Sequence, residues 1–536
     1  MKEHQALISC VAAALTAAGA GFALLDHFRP ARHPVAVLVQ PPDPNPENTD
    51  RGPGGQAAQP PKPETAQPPP KPDGEDGVQV LTRGPVHEAF AEAVVFDPEP
   101  SVVVREAPPD AVDEAPPDQG PEDAAWIPGY AAWDDERGDY VWASGVWRSP
   151  PPGRQWVSGY WGRCESGFQW VPGYWAAAEV EEIEYLPEPP AAVEAGPVGV
   201  PPSADHGWIP GAWVWWHRVP LRGRYAWCPG YWVAAQADWD WIPPHCTWTP
   251  RGYVFVDGYW DYPVARRGVL FAPVRFDAAA HVRFSYSPSV AIDAAALADH
   301  LFVRPEYHSY YFGDYYDAGY SAAGFYWACS FNATRRGYDP IWAHRRWEHR
   351  RDGGWEARVE ADFRNRRDHA EARPPRTLVA QDFAAAAAAR RAALGAGGRA
   401  GPAVAVRLDQ LAKGGEGPAR LRAVDGEERR RLAQRGDEVR RFREERRALE
   451  APAEPAHGRP RAPEPDRARL PKPAIAAKPA EGRGGGRTPP RRHEAPAPDP
   501  KVEARPRGPR AKEAPRQEPR GKPNAEPRGK PKRPAP

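Results

Sequence analysis

The chain has little of what most catalytic and metal sites are made from. It holds five cysteines in 536 residues, and none stands in a CxxC pair, which argues against a structural zinc site. It has no GxSxG elbow, no phosphate-cradling glycine loop before a helix and no HExxH, so the motif grounds for a hydrolase, a nucleotide enzyme or a zinc protease are missing. His344 and His349 are five apart and flanked by arginine, a poor metal spacing. Asp314 and Asp317, set among tyrosines, would serve sugar hydrolysis only as part of an acid pair, and no second acid stands in a comparable setting. The sequence therefore reads as non-enzymatic and implies no cofactor. It also lacks net charge, with 71 Lys and Arg against 71 Asp and Glu. That balance hides an acidic front and a basic end.

What the chain has is tryptophan, 22 in all, much of it in a repeat between Trp126 and Trp260. In its fullest form the unit is Phe168, Trp170, Pro172, Gly173, Trp175. The leading ring falls at Trp126, Trp142, Trp156 and Trp170, then at Trp208, Trp227, Trp241 and Phe255, with steps of 16, 14 and 14 followed by 19, 14 and 14. The second ring falls at Trp147, Trp161, Trp175, Trp213, Trp232 and Trp260. A block of four units thus occurs twice, and units this small must stack to bury a face. Turn residues (Gly138, Gly153, Gly167, Gly223, Asp238, Gly252) precede the rings, and about nine residues of strand composition lie between them. Each block is expected to be a four-stranded antiparallel meander.

Proline and glycine inside a strand need a reason. One is a bulge that brings both tryptophans of a unit to one side, with the glycine leaving bare backbone for a neighbouring indole. The result would be an aromatic ladder across each sheet, structural or sugar-stacking. The other is a type II corner that breaks each strand in two. Seven units keep the glycine, at Gly129, Gly145, Gly159, Gly173, Gly211, Gly230 and Gly258; one has Pro244 instead, with Cys246 for its second tryptophan, and the first unit has Ala131 at that place.

This recurring Trp-x-x-Gly-x-Trp, often Tyr-x-Trp-x-Pro-Gly-x-Trp, resembles the YXWGXW (WXXGXW) repeat proteins of bacteria over about residues 126–260. The resemblance implies an exported protein and brings no established activity with it.

The rest of the chain divides by composition. Residues 1–28, with an uncharged Ala-rich run from Ala6 to Leu25, read as a signal peptide or a membrane anchor. Residues 29–122 read as a disordered, Pro-rich acidic spacer, in which the apolar patch Val94 to Val104 is either a stray strand or a less polar linker. The repeat blocks are assigned to 123–176 and 207–262, with an acidic linker at 177–206. Residues 263–378 form a Tyr- and Arg-rich folded region of mixed α/β character, with a short helix opened by Asp293, and are expected to pack on the second block. Residues 379–450 are helical, and Leu432, Val439, Phe442 and Leu449 stand at coiled-coil spacing with Arg435 and Arg446 in the remaining core positions. Residues 451–536, with 22 Lys and Arg against 10 Asp and Glu, read as a disordered basic tail. Cys228 and Cys246, in adjacent units, would be either a cross-strand disulfide or two core thiols.

The fold expected is mainly β, two four-unit meander blocks flanked by Pro-rich segments and a helical C-terminal portion. The function expected is structural or interactive, in a secreted or cell-envelope protein. Carbohydrate binding by exposed indoles to envelope polysaccharide is the first alternative, and nucleic-acid binding through the basic tail is the disfavoured second. Other envelope proteins, or a second copy through the charged helix, are the remaining partner classes.

Overall fold

Each repeat unit is a strand with a gap at its Gly step, or at Pro243-Pro244 in the unit that lacks the glycine, and the units pair two by two. In the first pair, Ala125–Ile127 and Tyr130–Asp134 run up, and Asp139–Ala143 and Val146–Arg148 run back beside them. Tyr130–Asp134 pairs with Asp139–Ala143, and Ala125–Ile127 with Val146–Arg148. The same nested pairing joins Arg154–Val157 to Tyr174–Ala177 and Tyr160–Cys164 to Gly167–Val171. It recurs for His206–Ile209 with Tyr231–Ala234 and Ala212–Trp216 with Arg224–Cys228, and for Asp240–Ile242 with Tyr259–Asp261 and His245–Thr249 with Gly252–Val256. The repeat is thus four two-stranded hairpins, where meanders of four were expected. The reason lies in the turns: at the first tip, Gly138 adopts φ +63° and donates its N–H to the Asp134 carbonyl at 2.9 Å, closing a tight reversal, whereas among the described residues the last strand of one hairpin does not pair with the first strand of the next.

The structure is a computed structural model that describes residues 77–193, 197, 199–216, 223–277, 285–334, 337–393, 403–413, 420–451 and 466–477. All lie in one compact unit, Pro69–Pro536. The segment read as signal peptide or anchor, and the outer parts of the spacer and tail, fall outside the described residues. Among those described, no helix is long and apolar enough to cross a membrane.

The fold is mainly β, in small, mostly antiparallel sheets. Register places leading and second rings opposite each other in every hairpin: Trp126 faces Trp147, Trp156 faces Trp175, Trp170 faces Trp161, Trp208 faces Trp232, Trp227 faces Trp213 and Trp241 faces Trp260. The six pairs have ring centroids 5.0 to 5.6 Å apart at tilts of 51° to 67°, the edge-to-face range favoured by the ring quadrupole. The atypical units complete the pattern. Ala131 faces Trp142 and Cys246 faces Phe255, so each missing tryptophan costs one ring pair and leaves the register intact.

The two blocks pack against each other. Arg148, beside Trp147, bonds both oxygens of Asp261 at 2.6 and 2.7 Å, and Arg154 donates to the Gly258 carbonyl at 3.0 Å. The Tyr- and Arg-rich region joins both blocks rather than the second alone. Gly268–Leu270 extends the first hairpin beside Val146–Arg148, and Val274–Phe276 pairs with Trp142 and with Val78–Val80. Its short helix Ala294–Asp299 is capped by Asp293, which accepts from the Ala296 N–H at 2.8 Å.

Three stretches read as linker or tail are folded. Residues 77–122 supply strands to several sheets, Val94–Val95 pairing with Gly337–Tyr338 and Val103–Val104 with Gln169 and Phe168. Val86, Ala89 and Val94 have no exposed surface. Inside the acidic linker, Glu182–Tyr185 is a strand with Ile183 and Tyr185 buried. From the tail, Asp466–Arg469 pairs with that strand. Composition misled because a few apolar residues per segment suffice when a preformed sheet edge supplies the other half of each hydrogen bond.

The helix Gly426–Leu449 buries Leu432, Gly436, Val439, Phe442 and Arg446 and packs chiefly on the first two repeat hairpins, with Leu432 in a cluster that also holds Trp126, Trp147 and Leu408. Its apolar stripe is therefore covered by its own chain.

Candidate functional site

A Pro-Gly step interrupts pairing and leaves peptide N–H and C=O groups without ladder partners, in a core where an unmade hydrogen bond costs about 1–3 kcal/mol. The structure satisfies them from far along the chain. Glu88 accepts from the N–H of Gly159 and of Gly173, each at 2.9 Å, and from the Trp170 indole at 3.1 Å. Glu114 does the same for the first hairpin, accepting from Gly129 at 2.6 Å, Gly145 at 2.8 Å and the Trp142 indole at 3.2 Å. The carbonyls of these steps meet the long helix. Arg446 donates to Ser158 and Pro172 at 2.9 and 3.0 Å, and Arg443 to Gly129 and Pro128 at 2.9 and 3.1 Å. The Ser158–Gly159 and Pro172–Gly173 peptides are thus held by a carboxylate on one side and a guanidinium on the other.

Burial pushes both carboxyls upward, Glu114 to about 6, while the two glycine amides, the indole and Arg443 oppose the shift. The glycines themselves are required by closeness. A Cβ on Gly145 would lie 2.5 Å from Trp126, one on Gly173 2.6 Å from Trp156, and one on Gly159 2.6 Å from Trp170. The indole does lie on bare backbone, as expected. The strand is broken at the step, but a type II corner would need positive φ at these glycines, and Gly129, Gly145, Gly159, Gly173 and Gly258 are not among the residues with it.

Residues 87–92 form the hub. His87 donates from Nε2 to the Pro128 carbonyl at 3.2 Å and accepts from the Ala89 N–H at 3.1 Å on Nδ1, and burial lowers its pKa to about 3, so it is neutral. The Ala89 carbonyl takes Arg148 and the Trp175 indole, and the Phe90 carbonyl takes Arg267. Glu92 reaches the fourth hairpin, 2.9 Å from His245 and 3.2 Å from the Tyr259 hydroxyl. Beside the hub, Arg148, Asp261, Arg267, Asp240 and His344 form one buried ionic chain, with His344 Nδ1 2.8 Å from Asp240. Burial works against charge on His344, but Asp240 and Glu348 raise its pKa overall.

The chain matches no known protein family, no curated protein and no solved structure.

Of the thirteen tryptophans proposed as a ladder, ten are buried; Trp161, Trp208 and Trp232 are half-buried. The rings form separate cross-strand pairs inside the core rather than one open row. Cys228 and Cys246 are buried thiols, not a disulfide. Hairpin pairing explains this, since Cys228 faces Ala212 and Cys246 faces Phe255, in different hairpins. Asp314 is bound by Arg376 at 2.7 Å, Asp317 caps the short helix Ala318–Ala322 through the Gly319 N–H, and Arg373 lies 3.9 Å from the first and 3.6 Å from the second, so both are engaged in structural contacts. His349 stacks on Trp355 at 4.6 Å. Among the described residues no group of three His, Cys, Asp or Glu is placed to hold a metal ion. One cavity of about 150 Å³ lies beside Tyr174, Ile183, Trp215, Val254 and Leu470.

Sequence reasoning missed Glu88, Glu92, Glu114, Arg443 and Arg446. Two signals pointed to them. Residues 77–96 contain one proline, Pro85, in a stretch otherwise dense with it. Arg446 stands in the apolar stripe of its helix, where an arginine needs a buried partner; Glu450 provides one at 3.1 Å with both side chains fully buried.

Proposed function

We propose that this chain is a non-catalytic structural or interaction protein of the YXWGXW-repeat kind, exported to the cell envelope or beyond, in which the aromatic hairpins form a rigid scaffold. The observation that carries this is where the chemistry of the repeat is spent. Its indoles face each other across strands, its glycines receive those indoles, and Glu88, Glu114 and the arginines of the long helix hold the interrupted backbone. The four-hairpin arrangement deepens the reading, because one hub binds the first, second and fourth hairpins and ties those three into one body rather than independent modules.

Carbohydrate binding keeps a narrower basis in the half-buried Trp161, Trp208 and Trp232. Trp fluorescence of the whole chain with acrylamide, alone and with soluble polysaccharides, tests both. Blue-shifted emission that quenches poorly and ignores sugars supports the scaffold. Quenchable emission protected by one glycan would replace it with a binding surface. Export is tested separately, by fractionating cells and reading the N-terminus of the mature chain.

A further inference from the structure

The segment 466–477 lies far along the chain from the surface it covers, and that surface is a pair of sheet edges. Asp466–Arg469 runs antiparallel to Glu182–Tyr185 and among the described residues is the only strand paired with it, while Leu186, just beyond, bridges Tyr253 of the fourth hairpin. The segment continues with the Leu470 N–H on the Glu181 carbonyl at 2.8 Å, then pairs with the second hairpin, where the Trp156 N–H reaches Ile475 at 2.9 Å and the Ala477 N–H reaches Arg154 at 2.7 Å. Leu470 and Ile475 are its apolar anchors, 6% and 3% exposed. Charge sets its direction, with Arg467 against Glu184 at 3.3 Å, Arg469 against Glu181 at 3.9 Å and Asp466 against Arg251 at 2.6 Å. Without this segment the chain would present two bare edges, and an open edge is a template for a strand from another chain.

We propose that this groove is a strand-exchange site, in which two copies of the chain dimerise by each donating residues 466–477 to the other. The occupant is argued from the seat itself. Hydrogen bonds, two apolar anchors and a charge pattern already match this segment, and a second copy brings the identical one. Between Ala451, two residues past the end of the long helix, and Asp466 stand residues 452–465, fourteen positions of which five are proline. A chain of that length reaches at most roughly 50 Å, enough to serve a neighbouring copy. Closure on the same molecule is favoured by its high effective concentration, so the monomer dominates in dilute solution and exchange grows with concentration.

The test uses charge reversal in the full chain, at pairs lying at or near the surface so that no charge is forced into the core. One variant carries Glu181→Lys and Glu184→Lys, the other Arg467→Glu and Arg469→Glu. Each alone repels its own segment. Mixed, the native arginines of the first fit the native glutamates of the second, and the reversed pair fits likewise. The expected result is a monomer for each variant alone and a doubling of mass by light scattering when they are mixed, lost when Leu470→Asp and Ile475→Asp are added to both. The quadruple reversal in one chain returns the wild-type monomer. A mixture that stays monomeric, with each variant keeping the near-ultraviolet circular dichroism of the wild type, overturns the proposal. So does a dimer that survives loss of the two apolar anchors. Should the variants fail to fold, concentrated wild-type chains bearing two different tags replace them: co-purification that the anchor substitutions abolish supports exchange, and none overturns it.

Discussion

Gly145→Ala isolates the step on which each hairpin depends. The added methyl would meet Trp126 at 2.5 Å and the Ile127 carbonyl oxygen at 2.8 Å, about 1 Å inside ordinary van der Waals contact. Trp126 has little room to retreat, being 1% exposed and packed on Trp147 and Phe271. Overpacking of this kind costs about 1–3 kcal/mol. Moving the backbone to relieve it would also pull the Gly145 N–H from Glu114, worth about 1–3 kcal/mol more in a buried site. The expected loss is about 2–6 kcal/mol, a large share of the ~5–15 kcal/mol that holds a domain folded. Gly207→Ala is the control: nothing lies within 4 Å of its Cβ and its φ is ordinary, so it should leave stability unchanged or raise it by up to about 1 kcal/mol. Urea unfolding followed by Trp fluorescence compares the two. A partial rescue is built into the chain, since register places Phe255, not tryptophan, opposite the unit that carries Pro244 in place of glycine. Adding Trp126→Phe to Gly145→Ala should therefore recover part of the loss. Equal unfolding midpoints for Gly145→Ala and Gly207→Ala would refute the close-contact argument.

Glu88→Ala leaves two glycine amides and an indole without their acceptor, and should lower stability by about 3 kcal/mol or more in the same assay; a loss under 1 kcal/mol would mean water replaces the carboxylate. Glu114 has its carboxyl raised from 4.5 to about 6, so its contribution is fully present below pH 4.5 and is lost as pH rises through 6. Relative to Glu114→Gln, the wild type should gain roughly 2 kcal/mol on acidification from pH 7 to 4.5, and unfolding curves at the two pH values that differ equally for both chains would contradict this. Arg446→Met strands the buried Glu450 carboxylate and should cost about 3–5 kcal/mol, with much of that returned by adding Glu450→Gln; a double variant no more stable than the single one breaks the argument. Cys228 and Cys246 should resist a thiol reagent until the chain unfolds, since both are buried and burial raises the Cys246 thiol to about 12, and rapid labelling of either in the native state would disprove their placement.

Local residues made much of the repeat legible. The glycine at the indole contact follows from the motif alone, because Trp-x-x-Gly-x-Trp puts a bare backbone position within one strand of a large ring. The cap at Asp293 was equally visible, an acid directly before an Ala-rich helix. Strand pairing was not. The period of 14 fits a four-stranded meander and a pair of hairpins equally well, and the choice decides whether Cys228 and Cys246 are neighbours. Nor did the Pro-rich front announce that Glu88 and Glu114 belong to the core, since their partners stand 71 and 31 positions away in Gly159 and Gly145.

That aromatic strands recur, that seven of the eight units are interrupted at a glycine, and that the interruption admits a ring are all legible without the fold, because they are matters of covalent sequence and contacts within one hairpin. What completes the interrupted backbone depends on long-range packing alone. A lost ladder bond can be replaced by any buried donor or acceptor the fold brings near. Glu88, Glu114, Arg443 and Arg446 hold that role through their positions in space, which no local period records.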